Sequence, residues 1–225
     1  MVGYAVHTSV AFSLLSGAFI MIIGIILAPR MLGAMSTPED IMDLSILYLR
    51  IYFLGMIPNL LYNTGSSILR AVGDSRRPLY FLIVSCMTNI VLDLLFVVIL
   101  RLGVRGAGIA TVCSQILSAL LVLSCLCRIS DMYRVHLTRI GIDTRMLRRM
   151  IRIGLPAGLQ SVMYGLSNVI IQAGINSLGT NTVASWAAYG KIDSIFWMII
   201  NSFGIAITTF VGQNYGAGKH ERIHR

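Results

Sequence analysis

The sequence predicts an all-α polytopic membrane protein with about six transmembrane helices, and three observations predict it. Apolar residues make up 56% of the chain and charged ones 12%, with a mean hydropathy of +0.79. A soluble domain of this length needs far less apolar surface to build one core. The apolar residues fall in runs of roughly 20 or more, the length a helix needs to cross about 30 Å of hydrocarbon. Finally, Lys and Arg gather in the breaks between runs, on alternate sides of the chain's path.

Taken in order, the runs predict helices over Ser9–Gly33, Asp40–Leu69, Pro78–Leu100, Gly106–Cys127, Met150–Leu178 and Val183–Gln213. The first has no basic segment ahead of it and no small-residue cleavage site, so it reads as a retained span and not as a signal peptide. Thr37-Pro38-Glu39-Asp40 opens the second, with Thr37 placed to cap and the acidic pair favourable at a positive helix end. Gly73-Asp74-Ser75-Arg76-Arg77-Pro78 separates the second from the third: Gly permits the positive φ that ends a helix, Asp bonds nearby amides, and Pro begins the next. The glycine-rich ending Gly212-Gln213-Asn214-Tyr215-Gly216-Ala217-Gly218 reads in the same way, as a helix stop. Between Ile129 and Met150 the chain turns polar and basic, either a linker between bundles or an ordinary charged loop.

The net charge of +9 raises the question of nucleic acid, but a nucleic-acid binder carries its cations on one solvated face, and here they sit between apolar runs. Arg70, Arg76 and Arg77, then Arg128 to Arg152, then Lys219, Arg222 and Arg225 mark three cytoplasmic regions. Arg30, Arg101 and Arg105, with Glu39, Asp40 and Asp43, mark the other side. Both ends of the chain are therefore expected in the cytoplasm. Cys86, Cys113, Cys125 and Cys127 lie in or at the edges of apolar runs without metal-type spacing and read as packing residues. His7, His136, His220 and His224 form no zinc motif.

Intramembrane polar residues carry the functional expectation. Asp93 lies about 15 residues into the third run, or about 22 Å at 1.5 Å per residue. A carboxylate there costs roughly 2.5 to 3.5 kcal/mol and must be paired, protonated or facing a wet cavity. Ser85, Asn89 and Asp93 recur every fourth residue and share a helical face, a cavity wall or, alternatively, a seam of interhelical hydrogen bonds. Arg50 is a candidate partner for Asp93, about 7 Å off in depth on the same counting. Lys191 and Asp193, two residues apart, point to different faces; Asp193 is a second candidate coupling residue or a structural one. Gln160, Tyr164, Asn168, Gln172 and Asn176 form a polar stripe that lines a cavity or ties helices together.

Three stretches carry a resemblance: Leu69-Arg70-Ala71-Val72-Gly73-Asp74-Ser75-Arg76-Arg77-Pro78, Gly154-Leu155-Pro156-Ala157-Gly158-Leu159-Gln160 and Phe210-Val211-Gly212-Gln213-Asn214-Tyr215-Gly216-Ala217-Gly218. Asn89-Ile90-Val91-Leu92-Asp93 and Gly103-Val104-Arg105-Gly106-Ala107-Gly108-Ile109-Ala110-Thr111 support them. Together they resemble the multidrug and toxic compound extrusion (MATE) transporters. The resemblance implies part of a two-lobe architecture: residues 1–129 as the latter four helices of the first lobe, 130–149 as a basic cytoplasmic linker between lobes, and 150–225 as the first two helices of the second.

It further implies an integral protein of a plasma or bacterial inner membrane that exports small organic, often cationic, substrates by alternating access. The coupling ion would be Na⁺ or H⁺, with no other cofactor and no nucleic-acid partner. Asp93, Asn89, Asp193, Lys191, Arg50, Tyr164, Asn168 and Gln172 are the residues expected to serve ion coupling or the substrate cavity. Some members carry a carboxylate shortly after the Gly-x-Pro motif; here none occurs between Asp143 and Asp193. The rival within the superfamily is a flippase for lipid-linked oligosaccharide or polysaccharide, which needs a broad basic cavity, whereas only Arg50 and Lys191 read as intramembrane cations. A membrane enzyme would need clustered catalytic groups, and a channel would conduct without exchange.

Overall fold

The computed structural model describes residues 2–34, 39–129 and 131–223. Seven α-helices account for nearly all of them: α1 (Val2–Ala34), α2 (Glu39–Leu54), α3 (Met56–Ala71), α4 (Arg76–Asp93), α5 (Gly103–Arg128), α6 (Thr144–Ser177) and α7 (Thr180–Gly216). No strand occurs among the described residues. The expected cap at Thr37 and the expected start at Pro38 lie outside the described residues. The chain divides into two compact units, Met1–Leu147 and Arg148–Arg225.

Among the described residues, four helices are long and apolar enough to cross a membrane: Val2–Gly33, Arg76–Ile99, Gly103–Arg128 and Ser185–Gly216. The second expected span is not continuous. It is the pair α2 and α3, bent by 42° at Gly55 and counted as a fifth crossing if taken together. Pro58 contributes to the break, since it has no N–H to give to the carbonyl of Leu54. The expected fifth span, within α6, is long enough at 34 residues but is not among those four spans and the bent pair. Four arginines at its start and the polar stripe along it dilute its hydropathy. The third expected span ends differently too: after Asp93 the helix widens into a π turn over Leu94–Ile99.

In the first unit, α5 is the central element and packs on α2, α3 and α4, while α1 packs on α2 and α3. Membrane helices gain little from hiding apolar surface from lipid, so they rely on close contact and small residues. Gly65 of α3 shows the consequence: a Cβ there would lie 2.7 Å from Val122 Cγ2 of α5. Ser85 of α4, itself buried, donates to the carbonyl of Ser114 at 2.6 Å and ties α4 to α5. Val6, Val10, Leu61, Leu69, Ala119, Val122 and Leu126 form the apolar core.

The segment expected to be a linker is docked onto this unit. Val135 is 2% exposed in the core, and its N–H donates to the Leu126 carbonyl at 3.1 Å. His136 N–H donates to His7 Nε2 at 3.0 Å, and Asp143 N–H to Thr8 Oγ1 at 3.0 Å. Because Nε2 accepts, the neutral ring carries its proton on Nδ1, which donates to the Gly3 carbonyl at 2.6 Å. Asp143 then caps α6 by accepting from Met146 N–H at 2.9 Å.

The glycine-rich turns form as expected. Gly73 has φ 91°, Asp74 Oδ1 accepts from Arg77 N–H at 3.1 Å, and the two side chains pair at 3.2 Å. At the end of α7, Gly218 has φ 69° and Lys219 N–H reaches back to the Asn214 carbonyl at 2.9 Å, which satisfies a terminal carbonyl. Among the described residues the second unit has no comparable core. The described side chains of α6 from Ile151 to Gln172 and nearly all of α7 are exposed.

Candidate functional site

The polar face of α4 is where the structure concentrates unmet hydrogen-bonding capacity. Asn89 and Asp93 are half-buried, yet Asn89 Nδ2 and Asp93 Oδ1 are shielded from solvent and have no hydrogen-bond partner among the described residues. Ser85, the third member of the face, is spent on α5. The face is thus part seam and part open capacity: its outer residue ties two helices, and its inner two hold a donor and an acceptor in a low-dielectric environment. An unpaired buried polar group costs about 1 to 3 kcal/mol, so each of these two atoms calls for a hydrogen-bonding partner.

Each of the other candidates is described within its own unit. Arg50 on α2 is exposed and forms no ion pair with Asp93. A long side chain near a span's end lowers its cost by reaching outward rather than inward. Asp193 on α7 is half-buried and accepts from Tyr189 Oη at 3.4 Å, one turn back on the same helix. Lys191 is exposed and forms no ion pair with Asp193. Gln160, Tyr164, Asn168 and Gln172 are exposed along α6, and the side chain of Asn176 lies outside the described residues.

A cavity of about 680 Å³ lies elsewhere, between the start of α1 and the docked loop, with His7, Asp131, Arg134, His136 and Arg139 among its lining. In the same loop the Tyr133 hydroxyl is held above its ordinary value of 10.0. Burial is the first cause, followed by the hydrogen bond to Asp131 and its charge. It therefore stays a donor through the neutral range. Sequence reasoning did not single out Gln115 of α5, whose Oε1 is also shielded and without a partner among the described residues. Its signal was available: it is the one amide in the apolar run Gly106–Cys127.

A polytopic bundle of membrane-length helices with a carboxylate and an amide held inside it defines an integral membrane protein of the helical class. The sequence profile of the MatE family matches residues 1–95 and 156–225, and the chain belongs to that family. It is 32% identical over 227 residues to the probable multidrug resistance protein YoeA of Bacillus subtilis strain 168, across 97% of this chain and 49% of that protein. To the probable multidrug resistance protein YpnP of the same organism it is 30% identical over 206 residues, across 89% of this chain and 44% of that one. Among solved structures it is similar to a MATE protein in the bent conformation, with a TM-score of 0.87 at 24% identity over 99% of this chain and 55% of the other. An outward-facing multidrug resistance MATE family transporter gives a TM-score of 0.81 at 26% identity, over 99% of this chain and 54% of the other. The chain spans about half the length of the curated relatives it matches.

Proposed function

We propose that the chain serves in a cation-coupled antiporter, driven by inward Na⁺ or H⁺, that exports drugs or organic cations by alternating access. The observation that carries this reading is the pair of unpartnered buried atoms, Asn89 Nδ2 and Asp93 Oδ1, inside a membrane-length helix. A carboxylate retained there at a cost of roughly 2.5 to 3.5 kcal/mol calls for a compensating interaction. A proton or Na⁺ supplies one by neutralising it. Its occupancy then favours whichever arrangement of the protein holds the neutral site, and a cationic substrate competes for the charge. The names of the relatives and the basic-loop pattern support the export direction, with both ends of this chain in the cytoplasm of a bacterial cell.

The test is Asp93→Asn in the protein expressed in bacterial membranes, with ion-gradient-driven efflux of a fluorescent organic cation measured at matched expression. Loss of the gradient dependence is expected. Unchanged gradient-driven efflux rejects the coupling role. Translocation of a lipid-linked saccharide by the unaltered protein, without efflux of organic cations, supports the flippase reading instead.

A further inference from the structure

Four buried side-chain atoms have no hydrogen-bond partner among the described residues: Ser66 Oγ, Asn89 Nδ2, Asp93 Oδ1 and Gln115 Oε1. They are not scattered, for all four lie on α3, α4 and α5, helices of one unit. Their order along the membrane follows from the contacts between these helices. Ser85 of α4 bonds Ser114 of α5, and Phe96 lies against Gly106, so α4 and α5 run antiparallel. Asn89 and Asp93 therefore sit beside residues 107 to 111 of α5. The bent pair α2 and α3 runs with α5: Ile51 meets Gly108, Gly55 meets Gln115, and Gly65 meets Val122. Gln115 thus lies about 10 Å from the level of Asp93, seven residues along α5 toward Arg128. Ser66, next to Gly65, lies further in the same direction.

The seat of Gln115 is specific. A Cβ on Gly55 would collide with Gln115 Oε1, so the glycine at the 42° bend makes room for this amide. The backbone of the bend is already satisfied, with Gly55 N–H on the Tyr52 carbonyl at 3.0 Å and Asn59 N–H on the Gly55 carbonyl at 3.0 Å. It offers the amide oxygen no donor. The set of open atoms comprises two acceptors, one donor and one hydroxyl, a combination that water, able to donate twice and accept twice, satisfies. Apolar packing satisfies none of them.

We infer that Gln115 is a water-binding station that extends the Asn89 and Asp93 site along α5, past the Gly55 bend, toward the Arg128 end. Its role as a path for the coupling cation or proton rests on the reading of Asp93 above; its hydration does not. Water reaches the carboxylate through the interior of this unit. No covalent step is involved.

The experiment places single cysteines in the full chain after Cys86, Cys113, Cys125 and Cys127 are changed to Ser, in bacterial membranes, and measures labelling by a charged methanethiosulfonate. Only a hydrated thiol ionises and reacts, so Gln115→Cys is expected to label at least about tenfold faster than Ile116→Cys. Ile116 is the next residue at the same depth and is 44% exposed on the outer surface of the helix. Equal rates overturn the inference. If Gln115→Cys does not accumulate, Asn89→Cys is labelled with and without Gln115→Leu: a fall of about tenfold supports the station and an unchanged rate overturns it. Labelling needs no ion gradient, so the two readings separate. Asp93→Asn with intact coupling rejects the coupling carboxylate alone, and equal labelling at 115 and 116 rejects the station alone.

Discussion

The two units treat intramembrane polarity in opposite ways. In the first, several polar groups are covered: Ser85 and Ser114 are buried against each other's helices, and Asn89, Asp93 and Gln115 keep shielded atoms unsatisfied. In the second, the polar stripe of α6 is open, with Gln160, Tyr164 and Asn168 exposed. The difference teaches that an open polar stripe and a set of shielded, unsatisfied atoms are two distinct arrangements. What distinguishes the two is whether the surrounding helices have removed the alternative of water while leaving the hydrogen bonds unmade.

The largest effect that sharpens this contrast is expected from adding one methyl group in each unit. Gly65→Ala pushes a Cβ into Val122 and is expected to cost about 1 to 3 kcal/mol by overpacking. Gly158→Ala on α6 meets nothing within 4 Å and is expected to be neutral or stabilising by up to about 1 kcal/mol through helix propensity. Thermal unfolding of the chain in detergent, followed by far-ultraviolet circular dichroism, measures both. Equal destabilisation by the two would dissolve the comparison.

Next comes the docked loop. His7→Phe removes the acceptor for His136 N–H and the donor to Gly3, with an expected loss of about 1 to 2 kcal/mol in local stability. Trypsin cleavage after Arg134 and Arg139 is then expected to accelerate roughly 5- to 30-fold under conditions where reclosing outpaces cleavage. A rate unchanged within twofold would mean that Val135 and the bond from Asp143 N–H to Thr8 hold the segment without His7.

A smaller effect is expected from hydroxyls. Ser85→Ala breaks an interhelical bond of 2.6 Å and is expected to cost about 0.5 to 1.5 kcal/mol. Ser161→Ala removes only a bond to the Ala157 carbonyl on its own exposed helix and is expected to change stability by less than about 0.5 kcal/mol. Smallest is Arg77→Ala, whose pair with Asp74 is 53% and 26% exposed; at most about 0.5 kcal/mol is expected, read as a shift in the same unfolding curve.

Much of this architecture was legible in the sequence because lipid imposes a simple rule on length and composition. The run Ser9–Gly33 had to be a helix, as did Gly106–Cys127, since no other backbone satisfies itself in hydrocarbon. The Gly73-Asp74 turn was legible because its residues act on their own neighbours. The bend at Gly55 was less so: Pro58 weakens the run there, but the seat of Gln115 against Gly55 is visible only in the packing. The docking of Val135 was not legible, because a valine in a basic loop announces nothing until the core it enters is known. The same applies to the site. Asp93 and Asn89 stand out from chemistry alone, whereas Arg50 was drawn toward them by depth counting that ignores which face a side chain takes. Gln115 was overlooked because a single amide carries weight only once its surroundings are closed.

The π turn after Asp93 carries one more consequence. A regular helix advances 100° per residue, and a turn closed by i→i+5 bonds holds one residue more than the regular lattice allows. Here Leu100 N–H reaches the Leu95 carbonyl at 2.9 Å in that manner. Deleting a single residue from Leu94–Ile99 would restore the regular lattice and leave everything beyond it in nearly the same orientation relative to Asp93, because the wide turn takes up the extra residue within about the same rotation. The segment therefore acts as a one-residue buffer between the carboxylate and the Arg101–Gly103 corner. A change of length by one residue there alters the rise between them while largely keeping the aim of each.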